Sequence, residues 1–423
     1  MGPRPLSPRE QLSVVMTRLY EAWLTTPSGG NLSVLEEDGS LWVTPTQIDK
    51  GRLRAEQMVR IAPDGSWTGE LKPTSEWPFH RAVLQARPDC RAVAHAHPSS
   101  LVAFSVVGKA LPLNQFPDLC RWLNHVGFTA YAIPGSEKLG QLLGETFATG
   151  CDAALMENHG AVACGGNLLE AYHRMEAMEH LATILLSGAR LGELRPHSRV
   201  EMQEAREWME RAWETFECAD AAAQPREELA DYVRRAQARN LLGSVAGAFS
   251  IRHDDGFLIV PDGADNASLK AEDLVFVKSG RCEAGKIPDA MANLHAAVYA
   301  AHPHIHSVAT ALPPSLMAFA ATGTPFDART IPEAFIFLRS VPSLPFKARF
   351  NGILLAETLD ARTPMALIES ACAVVTGETP FQVFDRLEVA EFTARSLLDA
   401  SAIGRLKPIG EEALEEIGRV FRL

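Results

Sequence analysis

Short apolar or alternating runs are interleaved with stretches of helical period along the whole chain. Leu41–Thr44, Ala92–His97 and Phe257–Val260 have strand length and strand character. Between such runs, Glu76–Gln85, Glu137–Phe147 and Leu168–Leu186 place apolar residues at helical spacing. The last of these, with Glu and His interspersed among its apolar positions, reads as an amphipathic core helix. The pattern predicts a mixed α/β protein.

The pattern also repeats. Gly30-Asn-Leu-Ser-Val34 returns as Gly247-Ala-Phe-Ser-Ile251, and Val43-Thr-Pro-Thr-Gln-Ile-Asp-Lys-Gly-Arg-Leu-Arg-Ala-Glu56 as Ile259-Val-Pro-Asp-Gly-Ala-Asp-Asn-Ala-Ser-Leu-Lys-Ala-Glu272. Phe79-His-Arg-Ala-Val83 is matched by Leu294-His-Ala-Ala-Val298, and Pro98-Ser-Ser-Leu101 by Pro313-Pro-Ser-Leu316. A shift of roughly 215 residues is far too long for a solenoid and marks a duplicated domain. The polar, alanine-rich stretch 218–229 is the expected linker, between a first domain at 1–217 and a second at 230–423.

Composition narrows the function classes. With 423 residues, 47% hydrophobic and 22% charged, the chain has ordinary globular content and material for two domains. A net charge of −12 argues against nucleic-acid binding. No apolar run reaches membrane-spanning length and no secretory leader is evident, so neither a membrane role nor secretion is expected. Seven scattered cysteines without a Cys-x-x-Cys pair fit reduced thiols in the cytosol.

Candidate chemistry centres on His95-Ala-His97. Residues i and i+2 of a strand share a face, so both imidazoles point the same way. Taken alone, such a pair is commonly a polar strand face bonded to its neighbours. Here Glu76 precedes it and His159 follows in Glu157-Asn-His-Gly160. Three imidazoles and a carboxylate can hold a divalent ion with a position left open for substrate. The repeat offers an internal control. In register, Glu76 faces Met291, His95 faces Thr310, His97 faces Leu312 and His159 faces Asn351, so the second copy lacks every candidate ligand. Asn31, Thr46 and Ser75 become Ala248, Asp262 and Ala290. His80 persists as His295, which marks it as structural. A second cluster, Ser28-Gly-Gly-Asn31 with Ser33, Thr44-Pro-Thr46 and Thr74-Ser75, contains only glycines and neutral donors suited to cradling an anion. A carboxylate beside a bound metal can serve as a general base, which suits enolate or enediolate chemistry.

These elements, namely Gly30-Asn31-Leu-Ser33, Thr44-Pro45-Thr46, Ser75-Glu76, His95-Ala-His97-Pro98 and Asn158-His159-Gly160, occur in an order and spacing that resembles the class II aldolase/adducin family. The resemblance spans the first half and, more weakly, the second. It implies two tandem α/β/α sandwiches, each around a mainly antiparallel sheet. It implies a divalent metal, most often zinc with Mn2+, Fe2+ or Co2+ as alternatives, held by His95, His97 and His159, with Glu76 as labile ligand and acid/base. It implies a substrate-binding role for Gly30, Asn31, Thr46 and Ser75. Gln47 stands where the sugar-phosphate aldolases usually have glycine, which opens the cradle to a carboxylate as well as a phosphate. The implied activity is carbon–carbon lysis of a small hydroxy-ketone, sugar-phosphate or keto acid through a metal-stabilised enediolate. Decarboxylation is the alternative; epimerase, dehydratase or non-catalytic adducin-like roles lie further off. The family's four-fold assembly implies a homo-oligomer, two fused chains rebuilding a four-lobed ring. The second half would then be a scaffold that lends residues such as Arg329, Arg339 or Arg349.

Overall fold

A computed structural model describes residues 6–218 and 223–423. By internal contacts the chain forms two units, residues 1–113 with 120–182, and residues 114–119 with 183–423. This grouping departs from the boundary expected at 217. The stretch from 183 onward packs within the second unit, where Arg195 pairs with Glu369 and the Trp208 ring lies 5.6 Å from the Arg349 guanidinium. Residues 219–222 of the expected linker lie outside the described residues, and from Ala223 the chain is helical to Ala238.

The first unit is built on β1 (Asn31–Leu35), β2 (Leu41–Val43), β3 (Val59–Ile61), β4 (Ala92–Ala96), β5 (Val126–Thr129), β6 (Ala153–Met156) and β7 (Gly160–Gly165). Their order in the sheet is β3-β2-β1-β4-β7-β6-β5, antiparallel except for the β5–β6 pair. All five residues of the central strand β4 are buried. Strand alternation puts Val93 and His95 on one face and the three alanines on the other. Val93 joins a core with Val162 and Cys164 of β7 and with Phe79, Val83, Leu139, Leu143 and Phe147. Those last five lie on helices Trp77–Ala86 and Glu137–Phe147, as the helical spacing predicts.

The second unit contains β8 (Glu214–Phe216), β9 (Ala248–His253), β10 (Gly256–Ile259), β11 (Val275–Lys278), β12 (Arg281–Glu283), β13 (Ser307–Ala311), β14 (Ser343–Leu344), β15 (Met365–Ile368) and β16 (Cys372–Gly377). The run β11-β10-β9-β13-β16-β15-β14 repeats the first sheet's order, including its one parallel pair, and β12 and β8 extend the edge. Each half is therefore an α/β unit of one topology. The ladders also fix the register between copies. Asn31 pairs with His95, and Ala248 with Thr310, so His95 does correspond to Thr310. One assignment changes. Ala96 pairs with Ala161 and Ala311 with Ala373, which makes Ala371, not Asn351, the counterpart of His159. Asn351 instead caps helix Gly352–Thr358, its side chain accepting from the Leu354 amide at 3.1 Å. The identities around His159 are too sparse to reveal the shift in offset, whereas the hydrogen-bond ladder leaves no freedom.

Candidate metal centre

Four side chains from three elements converge. His95 is the penultimate residue of β4, and His97 lies just past its end, beyond the last pairing. Glu76 occupies the position before the first turn of helix Trp77–Ala86, where Pro78 favours helix initiation. His159 sits in the tight β6–β7 turn after Asn158, whose φ of 55° is a left-handed conformation that Asn tolerates. The second copy turns the same way at Ser370, with φ 48°, but then presents Ala371.

The imidazoles of His95, His97 and His159 offer one nitrogen each within 4.8 Å of one another. His95 Nε2 and His97 Nε2 are 3.1 Å apart. His95 Nδ1 lies 2.9 Å from the Ala161 carbonyl. A carbonyl only accepts, so Nδ1 carries the proton and Nε2 presents its lone pair to the cluster. Glu76 Oε2 is 3.4 Å from His95 Nε2, and Oε1 is 3.7 Å from His159 Nε2. Burial, followed by the proximity of His97 and His159, holds His95 well below the usual imidazole range. His97 is pushed down to about 4, first by burial and then by His159. His159 is lowered by burial against the opposing pull of Glu76. All three are thus neutral near pH 7, the form that ligates metal.

The arrangement passes a direct test of fit. Among the described residues, Glu76 Oε1 and His159 Nδ1 are buried without a hydrogen-bond partner. Three neutral imidazoles crowd one point, yet none donates to Oε1, and His159 Nε2 stays 3.7 Å from it. A buried carboxylate oxygen left this way is costly unless a cation is bound. The donor set suits a late first-row divalent ion.

Behind Glu76 runs a buried chain of polar groups. Asn31 Nδ2 donates to Glu76 Oε2 at 2.7 Å, Asn31 Oδ1 meets His80 Nε2, and His80 Nδ1 lies 2.8 Å from Ser33 Oγ. His80, expected to be structural, is shared by both copies as that reading holds, yet here it also fixes the amide that holds Glu76. In the second copy His295 keeps its bond to Ser250 at 2.7 Å, but with Ala248 in place of Asn31 its Nε2 has no hydrogen-bond partner among the described residues. A conserved scaffold histidine gives no sequence signal of this second duty.

The remaining candidates occupy the segments before β1, after β2 and before helix Trp77–Ala86. Gly30, with φ 67°, lies where a Cβ would come within 2.8 Å of the His95 carbonyl, and a Cβ on Gly29 would meet His97 Nδ1 at 2.8 Å. The Gly-Gly pair is therefore needed for close approach as well as for the turn. Thr46 N donates to the Lys72 carbonyl and Thr74 N to the Thr44 carbonyl, both at 3.1 Å, which stitches the Thr46–Gln47 turn to the segment carrying Ser75. Gln47 and Ser75 are exposed and Thr46 is half-buried. Ser33 and Thr44 drop out of the cradle. Both are fully buried, Ser33 against His80 and Thr44 accepting from the Leu32 amide. Gln47 adopts φ 57°, whereas the second copy fills the equivalent turn with Gly263 at φ 65°. Arg349, suggested as a residue lent to a neighbouring site, is fully buried and paired with Asp118 at 3.0 Å, so it is unavailable for lending. Arg329 is tied to Asp327 at 2.9 Å.

Fold and site together define a class II aldolase-type α/β protein. The sequence profile described as "Class II Aldolase and Adducin N-terminal domain" matches residues 10–186 and again 227–398, and the chain belongs to that family in tandem form. It is 33% identical over 181 residues to 3-oxo-tetronate 4-phosphate decarboxylase of Escherichia coli (strain K12), covering 42% of this chain and 85% of the relative. It is likewise 33% identical over 172 residues to L-fuculose phosphate aldolase of Escherichia coli O6:H1, covering 41% of this chain and 78% of the relative. Among solved structures, YgbL of Escherichia coli, titled a putative aldolase/epimerase/decarboxylase, matches 47% of this chain and 97% of its own, with 32% identity and a TM-score of 0.43. No helix among the described residues is long and apolar enough to cross a membrane.

Proposed function

We propose that the first copy is a divalent-metal-dependent lyase that breaks a carbon–carbon bond beside a carbonyl in a small anionic hydroxy-ketone or keto acid. The observation that carries this reading is the convergence of three neutral imidazoles beside a carboxylate oxygen that has no hydrogen-bond partner among the described residues. His95, His97 and His159 would hold the ion, with zinc the first expectation and Mn2+, Fe2+ or Co2+ the alternatives. When bound, such an ion supplies Lewis acidity to a carbonyl oxygen that gains negative charge. Glu76 moves the proton. Its Oε2 is anchored by Asn31, which leaves Oε1 facing the cluster to deliver a proton to, or remove one from, the carbon next to the carbonyl. Gly30, Asn31, Thr46, Gln47 and Ser75 bind the anionic end of the substrate.

Decarboxylation has one observation in its favour over aldol cleavage. Aldol cleavage needs a hydroxyl proton removed and a carbon protonated at two separate positions. Loss of CO2 needs only the second step, and among the described residues Glu76 is the one carboxylate paired with these imidazoles. Similarity to a 3-oxo-tetronate 4-phosphate decarboxylase agrees with this choice. Metal analysis and turnover test the reading together. We expect about one divalent ion per chain, CO2 release from a phosphorylated 3-oxo acid, and loss of turnover in Glu76→Gln with the fold and metal retained. A chain that neither contains nor rebinds metal, or a Glu76→Gln variant with full activity, would overturn it. We further propose that the second copy is a scaffold and that the chain forms a homo-oligomer, to be measured by light scattering.

A further inference from the structure

A buried ammonium sits at the base of the substrate cradle. Lys50 is 3% exposed, its backbone amide donates to the Pro27 carbonyl at 2.9 Å, and its Nζ donates to the Pro45 carbonyl. It thereby ties the segment leading to Gly29 and Gly30 to the turn carrying Thr46 and Gln47. An ammonium has three donors, and among the described residues this is its one hydrogen bond.

The second copy shows what this position requires structurally. Asn266 stands there, 1% exposed, with its amide donating to the Ser244 carbonyl and its side chain to the Gly243 carbonyl, each at 3.0 Å. A neutral side chain therefore fills this buried position, bonding the 243–244 segment and leaving the Pro261–Gly263 turn to other contacts. Keeping a charge in the first copy is costly, because burial pushes the Lys50 ammonium down to about 8 against the opposing influence of Glu76. The positive charge is lost in the copy that has lost the metal ligands, while Gly247, Ser250 and His295 retain the scaffold. The five cradle residues are all uncharged, and an anion held by neutral donors alone lacks a counter-charge.

We infer that Lys50 is a positioning residue for substrate, fixing the Pro45–Gln47 turn and supplying the buried positive charge that complements the substrate's phosphate or carboxylate. The inference rests on the proposed location of the substrate's anionic end, and it is tested by equilibrium binding. Inorganic phosphate and acetate are titrated calorimetrically into the metal-loaded full chain, into Lys50→Gln and into Lys50→Arg, with metal content and melting temperature measured alongside. We expect one of the two anions, which identifies the substrate's charged group, to bind the wild type. Its affinity should fall tenfold or more in Lys50→Gln and stay within about threefold in Lys50→Arg. Affinity unchanged in Lys50→Gln, even with a lowered melting temperature, would reduce Lys50 to a structural tie between the Pro27 and Pro45 segments and overturn the inference. So would a wild type that binds neither anion. Should Lys50→Gln fail to fold, the 15Nζ resonance of Lys50 in the wild type must move on addition of the anion, and a static resonance refutes the proposal. Lys50-dependent anion binding without any lyase activity would sink the lyase reading alone. Turnover with Lys50-independent anion binding would sink this inference alone.

Discussion

Gly160→Ala should strike the metal centre without removing any ligand. Gly160 opens β7 directly after His159. A Cβ built there would lie 2.5 Å from the Ala96 carbonyl oxygen, 2.7 Å from His97 Cδ2 and 3.4 Å from His95 Cε1. The first contact is with the backbone of β4, which is held by β1 on one side and β7 on the other, so it cannot yield cheaply. Overpacking of this kind costs about 1–3 kcal/mol. If the strain falls on the ligand rings, that corresponds to a loss of roughly 5–150-fold in metal affinity. If it spreads through the sheet, it lowers the melting temperature by roughly 2–4 °C per kcal/mol for a unit of this size. The second copy supplies the control. Cys372 occupies the equivalent position, and Thr310 and Leu312 stand where the first copy has His95 and His97, so no imidazoles need the space. Zinc affinity measured by competition with a chromophoric chelator, together with a calorimetric melt, should show the loss in Gly160→Ala and no change of affinity in Cys372→Ala. Wild-type zinc affinity and an unshifted melt in Gly160→Ala would refute the packing argument.

Other perturbations probe different links. Asn31→Ala removes the 2.7 Å anchor of Glu76 and should reduce turnover or metal affinity by about 10–100-fold with the fold retained; wild-type kinetics would show that Glu76 needs no anchor. Asp118→Asn strips the counter-charge from the fully buried Arg349 and should destabilise the second unit by about 3–5 kcal/mol in urea unfolding, an expectation that a loss under about 1 kcal/mol would contradict. Burial pushes His80 and His295 down to about 3, so each is neutral when folded and protonates near pH 6.5 when unfolded. Below that pH the unfolded chain binds more protons, and metal-free protein should lose about 1.4 kcal/mol of stability per pH unit per histidine as pH falls from 6.5 toward 3; equal urea midpoints at pH 7.5 and 5.5 would contradict this. Gln47→Gly relieves a left-handed φ of 57° and should stabilise the first unit by up to about 1 kcal/mol while altering KM, and a lowered melting temperature would show that the side chain supports the turn.

The candidate ligands were legible because metal chemistry restricts residue type and strand geometry restricts spacing. His95 and His97 announce themselves by period, and the sister copy, lacking both, removes the structural explanation. His80 and Lys50 were not legible. His80 looks like a scaffold residue because its partner Ser33 is duplicated, and only the bond to Asn31 reveals its second duty. Lys50 reads as an ordinary polar turn residue until its burial is known. Arg349 shows the opposite error, since an arginine on a sequence looks solvated and this one is sealed in the second unit.

The sequence by itself determined the α/β character, the duplication, the family and the identity of the metal-ligand candidates. Each of these depends on local periodicity or on residue chemistry, and both are written along the chain. Tertiary structure alone decided the correspondence of His159 with Ala371, the polar chain from Ser33 to Glu76, the grouping of residues 183–217 with the second unit, and the burial of Lys50. Those depend on which strands share a ladder and which groups lose water, and such contacts join residues tens to hundreds of positions apart.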